Sequence, residues 1–365
     1  MKKKHFMISL SLAVIISLVL LIPNFNPPAV SAESITLKFA NYFPPPARHS
    51  KLIEEFAARL EERTNGRIKI EYFAGGSLLR APAIYKGVVS GIADMGLSHI
   101  EYTPGRFPVT GATEMPVGYP SGWVSNQVVN DFYHKFKPKE WKDVKMLWLH
   151  AGTPCLIISK KPVRRLDDLR GLKIRAPGMV GKTLAALGGT PTPTPIMEVY
   201  DAISKGVIDG VNTPFETLKS FRFAEVAKYT TASWQVGNTY TFFVVMNKNS
   251  YKKIPADLKP IFDQLCGEYK ERYALMWNQI DFEGRNYALQ KGVEIIELSP
   301  AEVTVWKQAA APVIDAYTKD MVKKGYSESE VKSWFAYIDQ RTQYWLKTQI
   351  PLYIKSPTGP PEIRP

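Results

Sequence analysis

The chain has 365 residues, 45% of them hydrophobic and 22% charged, with 47 Lys and Arg against 34 Asp and Glu for a formal net charge of +13. The basic residues are scattered rather than run together, which argues against nucleic acid as a partner and for a solvated cationic surface that attracts anionic ligands. Two cysteines, Cys155 and Cys266, are too few for a disulfide framework and too far apart for a zinc site, so both read as buried free thiols, with one disulfide as the alternative.

In chain order, Lys2, Lys3 and Lys4 precede an apolar run from Phe6 to Ile22, then a Pro-rich break and Val30-Ser31-Ala32. This is the pattern of a secretory signal peptide over residues 1–32, cleaved near Ala32; the run is short for a membrane anchor. Removing its three lysines leaves about +10 on the mature chain, whose length suits two lobes. No later segment reaches the roughly 20 apolar residues of a membrane span.

The mature chain opens with an alternating strand, Ile35 to Ala40. After Pro44-Pro45-Pro46 comes a helix from about Ser50 to Arg63, then a strand from Arg67 to Phe73. A helix ending near Ser90 leads into the short strand Gly91 to Leu97. The pattern restarts after Trp148, with strand-like Cys155 to Ser159 and Leu172 to Arg175, and helices over about Val180 to Leu187 and Ile196 to Lys205. Gly206-Val207-Ile208-Asp209 echoes Gly91-Ile92-Ala93-Asp94. Strands alternating with helices predict an α/β fold with parallel pairing, and the echo favours two similarly built lobes.

Tyr240 to Met246 is again strand-like, and a helical pattern then runs from Pro255 to about Lys291, longer than one lobe, with an apolar ridge that includes Phe262, Tyr269 and Trp277. A strand from Val293 to Leu298, helices over about Pro300 to Lys324 and Glu328 to Lys347, and an extended Pro-rich tail over 351–365 complete the expectation.

Catalytic signatures are scarce: there is no GxSxG, HExxH, P-loop or dinucleotide glycine fingerprint, and His49, His99, His134 and His150 are not spaced as metal ligands. His99 stands out because it follows a strand, and open α/β sheets bind ligands beyond the carboxyl ends of their strands. The same reasoning singles out Arg175, which ends an apolar strand before a Pro-Gly turn. Its planar five-donor fork cannot lose its proton, so it needs either a ligand carboxylate or a structural acid.

Lys161-Pro162-Val163, Leu166-Asp167-Asp168-Leu169-Arg170-Gly171-Leu172-Lys173-Ile174-Arg175-Ala176-Pro177, Tyr72-Phe73-Ala74-Gly75-Gly76-Ser77-Leu78, Pro195 to Tyr200 and the two Gly-x-x-Asp segments together resemble, in the same order, the substrate-binding proteins of tripartite ATP-independent periplasmic (TRAP) transporters of the C4-dicarboxylate type. The resemblance implies a periplasmic binding-protein fold with crossing strands as hinge and a long helix bracing both lobes. It implies residues 33–150 with about 241–290 as lobe I and 151–240 with about 291–350 as lobe II. The chain would then capture a small organic carboxylate, without a cofactor, and deliver it to one small and one large integral-membrane subunit driven by an ion gradient.

By the same resemblance the carboxylate-binding arginine is Arg175, and Tyr42, His99, Asn212, Thr213 and Tyr240 are pocket candidates, with Phe215 and Trp234 as apolar walls or lobe core. Pro154 stands where sialic-acid-type relatives carry a second arginine, and Val211-Asn212-Thr213-Pro214 stands where they carry a polar amide. These departures favour a monocarboxylate, hydroxy, keto or aromatic acid. Glu216 near an anion site would be repulsive unless it bonds a ligand hydroxyl, a cation or a neighbouring helix N-terminus, and the helix-terminus reading leads. An exported sensor and, less well supported, an exported hydrolase are the competing readings.

Overall fold

A computed structural model describes residues 34–365; the signal-peptide expectation over 1–32 lies outside the described residues. The strands in chain order are β1 (Ile35–Asn41), β2 (Ile68–Phe73), β3 (Met95–His99), β4 (Val144–Ala151), β5 (Leu156–Ser159) and β6 (Lys173–Arg175). They continue with β7 (Thr190–Thr192), β8 (Gly210–Thr213), β9 (Tyr229–Ala232), β10 (Thr241–Asn247) and β11 (Glu294–Glu297). They form two sheets, ordered β2-β1-β3-β10-β4 and β11-β9-β5-β8-β6-β7. In the first, β1 is parallel to β2 and β3, whereas β10 is antiparallel to β3 and β4. In the second, β6 is parallel to β7 and β8, whereas β5 is antiparallel to β8 and β9.

The two sheets therefore repeat one plan, and the sequence echo shows its physical basis. Asp94 takes the backbone N–H of Lys38 on its carboxylate (2.8 Å), and Asp209 takes that of Lys173 (2.8 Å), each tying the turn before a strand to the neighbouring parallel strand. Gly91 and Gly206 both sit at positive φ (+80° and +73°), the conformation that releases the chain from a helix end into the strand. The strands themselves begin later than expected, at Met95 and Gly210, because the Gly-x-x-Asp residues are spent on that turn.

Two chain crossings join the sheets, from β4 to β5 through 152–155 and from β9 to β10 through 233–240. They hold each other: Gly152 N–H donates to Tyr240 O (3.0 Å), Cys155 N–H to Asn238 O (2.8 Å), and the Thr239 hydroxyl to Gly152 O (2.6 Å).

The helices of more than eight residues are α1 (Arg48–Arg63), α2 (Gly122–Phe136), α3 (Gly178–Ala186), α4 (Lys259–Gln290), α5 (Pro300–Lys323) and α6 (Glu328–Gln349). The 32-residue α4, about 48 Å long at 1.5 Å per residue, touches α1, α2 and β4 on one side and β11 and the 217–220 turn on the other. It braces both sheets, as the unbroken helical pattern predicted. Gly284 lets it lie against the Phe215 backbone, where any Cβ would collide with the carbonyl.

Three expectations need correction. Helix α2 and strand β4 were not anticipated before Trp148; α2 is buried along most of its length, so it lacks the polar face that makes a helical period readable. Helix α6 does not accompany the second sheet. It packs on α2 of the first, where Trp334 and Ile338 meet Val128 and Phe132, and Arg341 and Trp345 both bind Asp131 (2.6 Å each). The tail is not an extended arm: the Thr358 hydroxyl bonds Pro120 O (2.9 Å), Asn278 bonds Lys355 O (2.9 Å), a 3-10 turn forms at Pro361–Ile363, and Ile363 is buried. Cys155 and Cys266 are free and buried.

Candidate functional site

The carboxyl ends of β1, β3, β6 and β8 converge from the two sheets on one cavity, lined from both. Its cationic wall is Arg175, the last residue of β6 and 4% exposed. A charge so buried is costly unless it is paired, yet no carboxylate among the described residues forms an ion pair with it. Arg175 Nε donates to Thr194 O (2.9 Å) and Nη1 to the Tyr240 hydroxyl (3.4 Å), and Tyr240 in turn donates to Asn212 O (3.3 Å). These bonds fix the guanidinium plane while its remaining edge lines the cavity. Burial pushes the Tyr102 phenol up, and the adjacent Arg175 charge partly offsets that.

The opposing walls are aromatic. Phe43 is stacked on His49 (ring centroids 3.9 Å, interplanar 6°) and Phe242 on His150 (4.8 Å, 2°), and Trp277 of α4 donates to His150 Nδ1 (3.1 Å). Burial holds His49 down to about 3 and His150 well below its ordinary value, so both rings are neutral and act as rigid backing. Tyr42 and Tyr240 add rings with hydroxyls. An apolar, aromatic box with one fixed cation accommodates a flat anion with a single charged end.

A cluster of acids borders the box without pairing with Arg175. His99 Nδ1 accepts the Glu101 N–H (3.3 Å) and Nε2 lies 3.1 Å from Glu114 Oε1. Burial lowers His99 to about 3, so this is a neutral contact and not an ion pair. Burial and the neighbouring Glu114 raise Glu101 to about 8, and burial likewise raises Glu114 to about 8, so both carboxyls hold their protons at neutral pH. Glu101, from just beyond β3, crosses to the other sheet's elements and accepts the Met179 N–H (3.3 Å) at the start of α3. Gly178, at φ +56°, has no Cβ to block that carboxyl. Glu114 takes the Thr241 N–H (2.6 Å), and its carbonyl takes Asn238 Nδ2 (2.7 Å), so it fastens the β9–β10 crossing.

Of the eight residues nominated from sequence, Arg175, Tyr42, His99, Thr213 and Tyr240 line the cavity together. Asn212 does not; only its carbonyl takes part, through Tyr240. Phe215 and Trp234 lie with the core of the second sheet, Phe215 1% exposed, because the corner after β8 turns Phe215 under α4. Glu216 stands at the start of the 217–220 turn, but its carboxylate makes no cap bond to the N–H groups there, contrary to the helix-terminus reading; it accepts the Ser220 hydroxyl (2.5 Å), and its own N–H donates to Asp281 (2.9 Å). Glu101, Tyr102, Phe43, Phe242 and Trp277 were missed. The rule that nominated His99, proximity to a strand's carboxyl end, applies equally to Phe43, Glu101 and Tyr102.

A fold of two repeated α/β sheets, a long bracing helix and an anion-ready cleft between them defines a solute-binding protein. Residues 39–320 match the model of bacterial extracellular solute-binding protein, family 7, and the chain belongs to that family. It is similar to a TRAP periplasmic solute-binding protein from Desulfovibrio salexigens, solved in an open complex (32% identity, TM-score 0.77, covering 86% of this chain and 97% of that one). It is also similar to one from Rhodoferax ferrireducens in complex with copurified benzoate (27% identity, TM-score 0.79, 86% and 100% covered). A third, from a marine metagenome, is described as specific for aromatic acid ligands and holds 3-hydroxybenzoate (27% identity, TM-score 0.79, 85% and 99% covered).

Proposed function

We propose that this TRAP solute-binding protein captures an aromatic monocarboxylate in the periplasm, after cleavage near Ala32, and hands it to small and large membrane subunits. The observation that carries the reading is the buried Arg175 guanidinium, held by Thr194 and Tyr240 yet without a carboxylate partner, in a box of aromatic rings. A ligand carboxylate supplies the missing counter-charge through a bidentate bond, and the ring takes the place of water against Phe43, Phe242 and Trp277. Pro154, in place of a second cation, leaves one charged end to satisfy. The relatives that hold benzoate and 3-hydroxybenzoate support the same class. No group near Arg175 is arranged as a nucleophile with its base, which favours capture over turnover.

A thermal-shift screen across mono-, di-, keto, hydroxy and aromatic carboxylates tests this. Benzoates should raise the melting temperature more than succinate or pyruvate. In Arg175→Lys, which keeps the charge and loses the fork, the shift should collapse while the unliganded melting temperature stays within a few degrees. Equal shifts for wild type and Arg175→Lys, or a response to dicarboxylates alone, would refute the assignment.

A further inference from the structure

At the β8 end of the cavity the hydrogen-bonding groups are nearly all acceptors. Thr217 donates its only hydroxyl proton to Pro214 O (2.8 Å). The 2.8 Å contact between Thr213 and Thr217 must then be a donation from Thr213 to Thr217, which leaves Thr213 Oγ1 with lone pairs toward the cavity and no proton to offer. Beside it Glu216, 5% exposed, receives Ser220 on Oε2, and no protein donor reaches Oε1. Asp281, the acid behind it, takes the Glu216 N–H on Oδ1. Glu216 and Arg175 stand apart: the Tyr42 phenol feels both charges, whereas Glu216 answers only to burial, which raises it to about 7, and to the opposing Ser220 bond.

We infer that Glu216, with Thr213, reads a hydroxyl on the ligand at the end remote from its carboxylate, so that the preferred solute is a hydroxy-substituted acid. This inference rests on the aromatic-monocarboxylate reading for the ligand's body. A bare C–H edge at this wall offers Glu216 Oε1 no donor, whereas a hydroxyl donates to it, most strongly when the carboxyl is ionised. Sites built to bond a hydroxyl discriminate strongly against the analogue that lacks it.

The test is calorimetric titration of wild type, Glu216→Met and Thr213→Val with benzoate, 3-hydroxybenzoate and 4-hydroxybenzoate, and with hexanoate and 6-hydroxyhexanoate as an aliphatic pair. Wild type should bind one hydroxybenzoate about 10- to 100-fold more tightly than benzoate, and in Glu216→Met the ratio should fall towards one. If Glu216→Met does not fold, Thr213→Val should still lower the ratio several-fold. Equal affinities in wild type, or a ratio that survives both substitutions, would overturn the role of Glu216 and leave the aromatic reading intact. If only the aliphatic acids bind, the aromatic reading fails and the ratio within that pair decides the hydroxyl reader. If no acid binds, both fall.

Discussion

Arg175, Tyr240 and the paired glutamates carry most of the site's electrostatics. Tyr240 accepts from Arg175 and donates to Asn212 O, so Tyr240→Phe removes a positioning bond but no charge. Affinity for benzoate should fall by about 3- to 10-fold by calorimetry, because the Arg175 bond that is lost is long at 3.4 Å, and a loss as complete as that expected for Arg175→Lys would contradict the division of roles. Glu114 makes a different prediction. Its buried carboxyl, like that of Glu101, is raised to about 8 in the folded protein against an ordinary value near 4.5. A raised acid contributes stability that is full below its unfolded value and is lost as pH rises through its folded one. Wild-type melting temperature should therefore decline between about pH 4.5 and pH 8 from this pair. Glu114→Gln, a permanent mimic of the protonated acid, should flatten that decline when melting is followed across pH. An unchanged slope would show that Glu114 is not protonated by folding in this range.

Elements decide how these residues meet. The start of α3, where Gly178 admits the Glu101 carboxyl, is a contact between structures built on different sheets. Gly178→Ala adds a Cβ against Glu101 at a positive φ that alanine adopts poorly. It should weaken ligand affinity about tenfold or more with a smaller effect on melting, whereas Gly284→Ala, inside α4 against the Phe215 backbone, should lower the melting temperature by several degrees. Comparable affinity in Gly178→Ala and wild type would separate the α3 contact from closure. Much of this was legible in sequence. The period of α4, the Gly-x-x-Asp turns and the motif ending at Arg175 are local patterns, and local patterns survive in a linear reading. What was not legible depends on tertiary contact. Glu114 meets Glu101 only because a 3-10 turn at Thr110–Glu114 returns beneath β3. Phe215 could be read equally as cleft wall or lobe core, and only its packing beneath α4 decides for the core. The tail from Pro351 is held by Pro120 and Asn278, which no composition rule reveals.

At the scale of the molecule, the cavity is walled from both sheets, so a ligand that contacts both favours the closed arrangement by its differential affinity for it. Small-angle scattering should show the radius of gyration falling when benzoate is added to wild type, and no change for Arg175→Lys at the same concentration. The chain's net charge of +13 should speed capture of anions, an effect that weakens with added salt. The proposed function stands on one buried, unpaired guanidinium in an aromatic box that selects the ligand's carboxylate. The most direct measurement is calorimetric titration of benzoate and of benzamide, its uncharged isostere, into the wild-type protein. Benzoate should give a saturable isotherm of 1:1 stoichiometry, with benzamide weaker by about 100-fold or more; equal binding of the two would contradict a carboxylate-selecting Arg175.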